Sequence, residues 1–415
     1  MTDSRPADNL PPLISASAQG GIAPSGASAS ADAWSPTTAA PDGAPVFPRY
    51  DTAWLGAVLP GAAQALGATV EVPALTLPTA RSVCVVIVDG LGRMLLEETA
   101  DRAPFLTSLM PGSITLTAGC PSTTATSMGS FGTGLPPGRH GLVGYEVMDP
   151  ARGVLLNELK WDPGTDPLAW QPHPTVFQVL AADGVRVTRV GNPEFDDSGL
   201  TLAALRGGGF VGAKRLYSRV DIAVAALAPP GRSLVYLYWG DLDGAGHGHG
   251  WRSAQWTREL RHVDREIARL ARRLPTGTVL VVTADHGMVD IPHGDRVDLA
   301  ERPELAAGIR VLGGEARFAQ AYCEPGRARA VAARLADAFG DRAWVRTRDE
   351  AIEDGWFGPV DDRVRPRLGD VLVAGIGSFA LVDARSATPQ VLRLIGQHGS
   401  LTADEQLVPL LVHTC

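Results

Sequence analysis

The sequence predicts an α/β fold built around a largely parallel β-sheet. From Phe47 onward, short apolar runs alternate with amphipathic segments, which is the pattern of successive βα units. Three of the four clearest apolar runs end in aspartate. Ligands of open α/β sheets collect beyond the carboxyl ends of the strands, so these aspartates also indicate a functional edge. A chain of 415 residues is long enough for one large domain with insertions.

The four strand candidates are, in chain order, SVCVVIVDG, RVTRVG, SLVYLYWGD and TVLVVTADHG. Asp89 ends the first run, Asp241 or Asp243 follows the third, and Asp285 ends the fourth. In a parallel sheet the carboxyl ends of the strands lie at one edge. We therefore expect these carboxylates to converge in the fold although they lie far apart in the sequence.

A long amphipathic helix is predicted between the last two of these strands. In SAQWTRELRHVDREIARLARRLP, apolar residues from Trp256 to Leu274 recur at intervals of three and four. Pro275 and Gly277 end the helix before the next strand. Further along, residues 309–383 alternate strand and helix patterns around a polar loop. We interpret them as a small inserted cap and not as a second catalytic domain.

The composition excludes several classes of function. The net charge of −8, without a long Lys/Arg run, predicts neither a nucleic-acid-binding patch nor a membrane-binding surface. The four cysteines are scattered and contain no CxxC pair, so reduced thiols are expected. Residues 1–46 are rich in Ala, Ser, Pro and Gly and lack the pattern of a secretory signal. We expect a disordered leader, a cytoplasmic protein and no transmembrane segment.

Two motifs supply candidate ligands and a candidate nucleophile. TADHGM places Asp285 and His286 directly after a strand, where the chain turns and both side chains can reach one ion. PSTT, at 121–124, precedes a predicted helix, so one of its three hydroxyl groups can lie at a helix N-terminus, which favours anions. Each motif alone also fits an ordinary turn or a helix cap.

The stretch DLDGAGHGHG, residues 241–250, concentrates two aspartates, two histidines and four glycines directly after an apolar run. We expect its glycines to let the backbone turn tightly between ligands. Together with His398 in GQHGS, the chain then has enough carboxylates and imidazoles for two ions. Such ligands without thiolates suit zinc, with manganese as the alternative, and two ions about 4 Å apart form a clamp for displacement at phosphorus.

The order of these motifs resembles the type I phosphodiesterases and nucleotide pyrophosphatases of the alkaline phosphatase superfamily. The resemblance rests on VIVDGLG, on PSTT followed by TGLPPGRHGLVG, on DGAGH, on TADHGM and on the late QHG. It implies an alkaline-phosphatase-like three-layer sandwich, with a catalytic domain at 47–415 and the inserted cap within it. The implied activity is two-metal cleavage of phosphodiester or pyrophosphate bonds in a small, nucleotide-type substrate.

The resemblance also implies roles for individual residues. The implied ligands form two sets, Asp89, Thr124, Asp285 and His286 for one divalent ion, and Asp243, His247 and His398 for the other. Thr124, the last residue of PSTT, is the implied nucleophile and forms a phospho-threonine.

Three further residues receive expectations of their own. Tyr145 stands where the family usually has an asparagine that helps to hold a phosphate oxygen, so we expect Tyr145 to contact the substrate. Asp241 is expected to orient a ligand or a water molecule, and His249 to lie at the rim of the site. The altered Asn position leaves the identity of the substrate open.

The sequence is also compatible with several alternative functions. A phosphomonoesterase, a phosphonate hydrolase or a phosphomutase would use the same scaffold and the same ligands. An inactive nucleotide-binding protein is a remoter alternative, and the complete ligand set argues against it. A sulfatase is disfavoured because CPSTT lacks the arginine of the CxPSR motif.

Overall fold

Valine- and isoleucine-rich runs form the centre of the fold in a computed structural model, which describes residues 43–415. The predicted leader, 1–46, lies outside the described residues except for its last four. The strands among the described residues are β1 (Ser82–Val88), β2 (Ile114–Thr117), β3 (Glu146–Asp149), β4 (Val154–Asn157), β5 (Arg186–Gly191), β6 (Gly209–Gly212), β7 (Ser233–Trp239), β8 (Thr278–Thr283), β9 (Val289–Asp290), β10 (Arg296–Asp298), β11 (Ile309–Glu315), β12 (Phe318–Cys323), β13 (Ala343–Thr347), β14 (Val371–Gly375), β15 (Ala380–Val382), β16 (Gly396–Gln397) and β17 (Leu407–Thr414).

Helices connect most of these strands. The α-helices are α1 (Val58–Ala65), α2 (Arg93–Glu98), α3 (Pro104–Ser108), α4 (Thr124–Thr133), α5 (Pro137–His140), α6 (Pro167–Trp170), α7 (Val176–Ala182), α8 (Gly199–Ala204), α9 (Leu216–Leu227), α10 (Asp241–His249), α11 (Ala254–Arg273), α12 (Pro303–Ala306), α13 (Ala328–Phe339), α14 (Arg348–Glu353), α15 (Pro389–Leu392) and α16 (Ala403–Gln406). Short 3₁₀ turns lie at Leu55–Ala57, Ala100–Arg102, Pro193–Phe195, His293–Asp295, Gly340–Arg342 and Arg365–Arg367. In the part of the chain that the structure describes, no helix is both long and apolar enough for a transmembrane span.

The central sheet has seven strands in the order β2-β17-β8-β1-β7-β5-β6. The five strands from β8 to β6 are parallel to one another, and β17 runs antiparallel between β8 and β2. Every residue of β1 and β8 is buried, so helices must cover both faces of the sheet. The predicted α/β class is confirmed, and the four predicted strands are β1, β5, β7 and β8.

The predicted amphipathic helix is also confirmed, as α11. Ser253 begins it, because its side chain accepts a hydrogen bond from the Trp256 N–H in the first turn. Trp256, Leu260, Val263 and Ile267 are fully buried along one face, at helical spacing. The packing of this face against the rest of the core fixes the helix between β7 and β8.

The prediction of a tight turn at DLDGAGHGHG is wrong, because residues 241–249 form the helix α10. Each internal glycine costs about 1 kcal/mol of helix stability relative to alanine, so packing must offset this cost. At Gly246 a Cβ atom would lie 2.2 Å from the Met288 sulfur, so a larger residue there would displace the buried Met288 side chain. Asp243 and His247, four residues apart, consequently share one helix face.

Residues 309–375 contain a second, antiparallel sheet with the strand order β11-β12-β14-β13. Helix α13 packs against it with Val331, Leu335 and Phe339, which belong to an apolar cluster distinct from the main core. Arg317, at the turn between β11 and β12, is fully buried and lies 2.7 Å from the Glu405 carboxylate in α16. This ion pair joins the small sheet to the segment that leads into β17.

We expect Arg317→Met to destabilise the protein strongly. Loss of the guanidinium leaves the Glu405 carboxylate buried and without its ionic partner, which costs about 3–5 kcal/mol. The matched control is Arg302→Met, because Arg302 pairs with Glu304 on the surface, where an ion pair contributes about 1 kcal/mol or less. The free energy of unfolding of both variants is measured in urea. Equal losses of stability in the two variants would show that the buried Arg317–Glu405 pair contributes no more than the surface pair.

Candidate active site

Strand ends bring the predicted ligands together. Asp89 follows β1, Asp285 and His286 follow β8, and Asp243 lies in the first turn of α10, directly after β7. Because β1 lies between β7 and β8, these carboxylates meet at one edge of the sheet. His398 reaches the same place from the segment after β16. The expected convergence is therefore present in the structure.

His286 lies at the centre of this cluster. Its Nε2 is 3.3 Å from Asp89 Oδ1, 3.6 Å from Asp285 Oδ2 and 3.2 Å from the Thr124 hydroxyl oxygen. Potential ligand atoms of Asp89, Asp285 and His286 all lie within 4.8 Å of one another, and all three residues are buried. This geometry matches the first ligand set that the resemblance implies.

The second set surrounds Asp243. One carboxylate oxygen lies 3.1 Å from His247 Nε2 and the other lies 3.9 Å from His398 Nε2. His398 also stacks on His286, with the ring centroids 3.5 Å apart, and Asp243, His286 and His398 form a second group of mutually close ligand atoms. His247 lies beside this group, with its ring centroid 5.2 Å from that of His398.

Backbone carbonyls fix the orientation of the three imidazoles. The Nδ1 atoms lie 2.9 Å from Gly287 O for His286, 2.9 Å from Ser122 O for His398 and 2.7 Å from Gly396 O for His247. Since a carbonyl oxygen only accepts, these contacts assign the ring proton to Nδ1. For His286 and His398 the Nε2 lone pair then faces the cluster, which is the arrangement of histidines that bind metals.

Each of the three carboxylates of the cluster has an oxygen atom without a hydrogen-bond donor among the described residues. Asp89 Oδ1, Asp243 Oδ1 and Asp285 Oδ2 are buried and have no hydrogen-bond partner among residues 43–415. Buried oxygens of this kind are rare, because leaving one without a partner costs free energy. Here, oxygen acceptors face nitrogen lone pairs at short range, an arrangement that repels unless a cation lies between them. The donor set therefore fits one or two divalent metal ions.

The acid groups of the site influence one another strongly. Burial and the neighbouring carboxylates of Asp285 and Asp243 raise the pKa of Asp89 well above its usual value, although the hydroxyl of Tyr238 donates a hydrogen bond to it. Burial alone would also raise the pKa of Asp243, but His247 and the other imidazoles hold it below its usual value. In turn, Asp243 outweighs burial and raises the pKa of His247 to about 9.

Thr124 is the first residue of α4 and presents its hydroxyl to this cluster. Thr123 precedes it at the N-cap position of the helix and has extended backbone angles. The Ser127 hydroxyl donates a 2.7 Å hydrogen bond to the carbonyl oxygen of Asp285, so the first turn of α4 is fixed to the end of β8. A helix N-terminus at this point favours negative charge on a bound group.

A cavity of about 820 Å³ opens from the ligand cluster. Tyr145 lines it, and its backbone N–H donates a 2.9 Å hydrogen bond to the Glu315 carboxylate. Asp241 and His249 instead lie exposed on α10 and do not line the cavity. Thr124 and Tyr145 thus line the same cavity as the candidate ligands, whereas Asp241 and His249 do not.

Three residues of the cavity were missed by reasoning from the sequence. Tyr238 bonds to Asp89, and its position in β7 could have been found by alternation, since every second residue of a strand faces the same way. Arg189 stands out as a charge within the apolar strand β5. Glu315 gives no signal in the sequence, because the fold of the small sheet alone brings it to the cavity.

A family model for the type I phosphodiesterases and nucleotide pyrophosphatases matches residues 83–401. The chain belongs to this family. It is therefore a member of a phosphoesterase family in the alkaline phosphatase superfamily, and this family is metal-dependent.

Solved structures share the fold. Murine ectonucleotide pyrophosphatase/phosphodiesterase 5 matches with a TM-score of 0.64 and 18% identity over 80% of this chain and 87% of the murine chain. An inactive variant of that murine protein has been solved in complex with AMP. Phosphonoacetate hydrolase from Sinorhizobium meliloti 1021, in complex with phosphonoacetate, matches with a TM-score of 0.62 and 20% identity over 83% of this chain and 92% of the hydrolase.

Among curated relatives, the phosphopentomutase of Anaeromyxobacter dehalogenans (strain 2CP-C) is 36% identical over 121 residues. This match covers 28% of the present chain and 28% of the mutase. The similarity to the mutase thus spans little more than a quarter of either protein.

We expect Gly90→Ala to reduce the hydrolytic rate of this family member by about 10-fold or more. Gly90 has a left-handed φ of 73°, and a Cβ atom would lie 3.2 Å from the Asp243 side chain, so an added methyl group displaces that carboxylate. Gly67→Ala is the matched control, because Gly67 has a φ of 78° with nothing within 4 Å of the added atom.

Both glycine variants then carry backbone strain of about 1–2 kcal/mol, but only Gly90→Ala also disturbs the ligand cluster. Thermal unfolding measures the shared loss of stability, and a phosphoesterase assay measures the difference. Equal hydrolytic rates of the two variants would show that the contact between the added Cβ atom and Asp243 does not affect activity.

Proposed function

We propose that this protein is a two-metal hydrolase that cleaves phosphodiester or pyrophosphate bonds through Thr124. One observation carries the proposal. Buried carboxylate oxygens and imidazole nitrogens face one another at the N-terminus of α4, and the Thr124 hydroxyl lies 3.2 Å from His286 Nε2 in this cluster. A hydroxyl nucleophile beside cation sites is suited to displacement at phosphorus.

Zinc is the proposed ion, with manganese as the alternative, because the ligands are oxygen and imidazole nitrogen without thiolate. The proposed ligand sets are Asp89, Thr124, Asp285 and His286 for one ion, and Asp243, His247 and His398 for the other. When bound, such ions lower the pKa of a hydroxyl nucleophile and neutralise charge on the reacting phosphoryl group.

The residues of the chain supply the geometry of the reaction. The Thr124 hydroxyl gives its proton to solvent water and Oγ1 bonds to phosphorus, while the bond from phosphorus to the leaving oxygen breaks on the opposite side. The leaving oxygen keeps the bonding electron pair and takes up a proton from solvent. Water then cleaves the bond between phosphorus and Oγ1, which releases the phosphoryl product and restores the hydroxyl. The N–H groups of the first turn of α4 stabilise negative charge on the phosphoryl oxygens. The Ser127 bond to the end of β8 keeps this turn in place.

The cavity next to Thr124 supports a small-molecule substrate of nucleotide type. Its volume of about 820 Å³ lies within the range of small-molecule sites. Phe195 and Tyr238 line it, with ring centroids 5.9 Å apart, and offer apolar surface to an organic group. Tyr145 is proposed to contact the substrate in place of the family's asparagine, with a single hydroxyl donor.

The test of this function is hydrolysis by the zinc- or manganese-loaded protein. We expect bis(p-nitrophenyl) phosphate and a nucleotide 5′-p-nitrophenyl ester to be cleaved faster than p-nitrophenyl phosphate or a phosphonate. Thr124→Ala should lower the rate at least about 10³-fold, because the nucleophile is lost. Acid-quenched wild-type enzyme should carry phosphate on Thr124 in mass spectra.

Thr124→Ser is the matched control, since serine keeps the hydroxyl and should retain activity. An unchanged rate in Thr124→Ala would reject Thr124 as the nucleophile. Faster cleavage of the monoester or of the phosphonate would replace the diesterase assignment by one of the alternative activities on the same scaffold.

Metal content tests the second ligand set independently of activity. We expect the double variant Asp243→Ala/His398→Ala to lose one equivalent of zinc in elemental analysis, because the second set then retains only His247. Asp241→Ala is the control from the same helix, since Asp241 is exposed and lies outside both ligand groups. Retention of two equivalents by the double variant would eliminate the second site.

A further inference from the structure

Arg189 is a buried cation in the wall of the cavity, and its side chain has no hydrogen-bond partner among residues 43–415. Its side chain lies in β5, only 8% of the residue is exposed, and it lines the same cavity as Asp89 and Thr124. Its Nε and Nη1 atoms are buried and have no hydrogen-bond partner among the described residues. A charged group left in this state is costly unless it serves a ligand.

The surroundings of Arg189 do not explain it as a structural residue. Its guanidinium carbon lies over the Phe210 ring, 5.6 Å from the ring centre, a contact that satisfies none of its N–H groups with an acceptor. Asp196 and Asp197 act on it electrostatically, but both are exposed, and no carboxylate of the described chain lies within ion-pair distance. Burial is the main cause that lowers the pKa of Arg189.

Arg219 is a second buried arginine of the same region, and its side chain does have hydrogen-bond partners. Arg219 is similarly buried, but its Nε donates a 2.6 Å hydrogen bond to Ala213 O and its Nη1 donates a 2.5 Å hydrogen bond to Tyr238 O. It also stacks on Trp239 at 4.6 Å. Arg219 therefore has the partners of a structural arginine, whereas Arg189 Nε and Nη1 have no such partner in the part of the chain that the structure describes.

The sheet register relates Arg189 to the ligand cluster. Arg189 is aligned with Tyr236 in β7, and Tyr236 with Val85 in β1, four residues before Asp89. Neighbouring residues in register face the same side, and Tyr236 and Tyr238 both line the cavity between Arg189 and Asp89. With standard strand spacings, the Cα atoms of Arg189 and Asp89 are about 16 Å apart.

We propose that Arg189 binds a second oxyanion, a carboxylate or a phosphate, on the organic part of the substrate. This inference rests on the proposed function and specifies its substrate class as phosphoesters with an anionic group at a distance from the reacting phosphorus. The N–H edge of a guanidinium matches the two oxygens of either group. Lys160, the other cation of the cavity lining, is exposed and adds positive charge.

The test is calorimetric binding of three non-hydrolysable ligands to the zinc-loaded, full-length protein. Pentylphosphonate has a neutral tail, 5-phosphonopentanoate a distal carboxylate and 1,5-pentanebisphosphonate a distal phosphonate. We expect at least one of the two doubly charged ligands to bind about 10-fold more tightly than pentylphosphonate, and the tighter of them identifies the oxyanion. In Arg189→Met the ratio of the dissociation constants should fall to about 1.

Arg219→Met is the matched control for this ratio and for stability. It should keep the preference for the doubly charged ligands but unfold at a lower temperature, because it loses bonded partners. Arg189→Met should unfold at the same temperature as the wild type or a higher one, because removal of an unpartnered buried charge does not destabilise a fold. Destabilisation of Arg189→Met to the level of Arg219→Met would overturn the proposal and assign Arg189 a structural role.

The remaining outcomes separate this inference from the proposed function. If pentylphosphonate binds and all three ligands bind equally well to the wild type, the Arg189 site is rejected while the phosphoesterase function stands. If only the ligands with a distal anion bind, and Arg189→Met abolishes that binding, the Arg189 site stands without support for the phosphoryl site. Failure of all three ligands to bind contradicts both proposals.

Discussion

The main constraint on the site is electrostatic repulsion among its own buried acceptor groups. Three carboxylates and three imidazoles converge at the carboxyl edge of the sheet, and several of their electron-rich atoms face one another in a buried space. Asp89, Asp285 and Asp243 directly follow the central strands β1, β8 and β7, so the packing of these strands fixes where the carboxylates lie. The fold thus holds several buried acceptor groups close together.

The main chain contributes as much to the site as the side chains do. Carbonyl oxygens of Ser122, Gly287 and Gly396 orient the imidazoles, and the first turn of α4 presents the hydroxyl of Thr124. Ser122 and Gly287 lie in loops, Gly396 lies in the short strand β16, and Thr124 begins α4. Such groups are insensitive to most substitutions, so the orientation of the ligands is determined by the path of the chain.

Reasoning from the sequence succeeded where a local pattern determines structure. Apolar runs predicted the central strands, and the residues at the strand ends, Asp89, Asp285 and His286, lie together at one edge of the sheet as expected, because topology places the ends of parallel strands side by side. It failed at α10, where the glycines favoured a turn, but residues 241–249 form a helix whose Gly246 lies close to the Met288 side chain. Glu315 could not have been identified, since its contact with the cavity depends on how a separate sheet folds.

That small sheet has a consequence for how such an enzyme can diversify. Glu315 and Leu312 line the cavity from β11, whereas the ligand cluster is built by the central sheet and the segments after its strands. Substitutions on the hairpin of β11 and β12 can thus reshape the space for the organic group without moving a ligand. Selection can act on the two parts separately, so relatives with different substrates can keep the central sheet and differ in the small sheet.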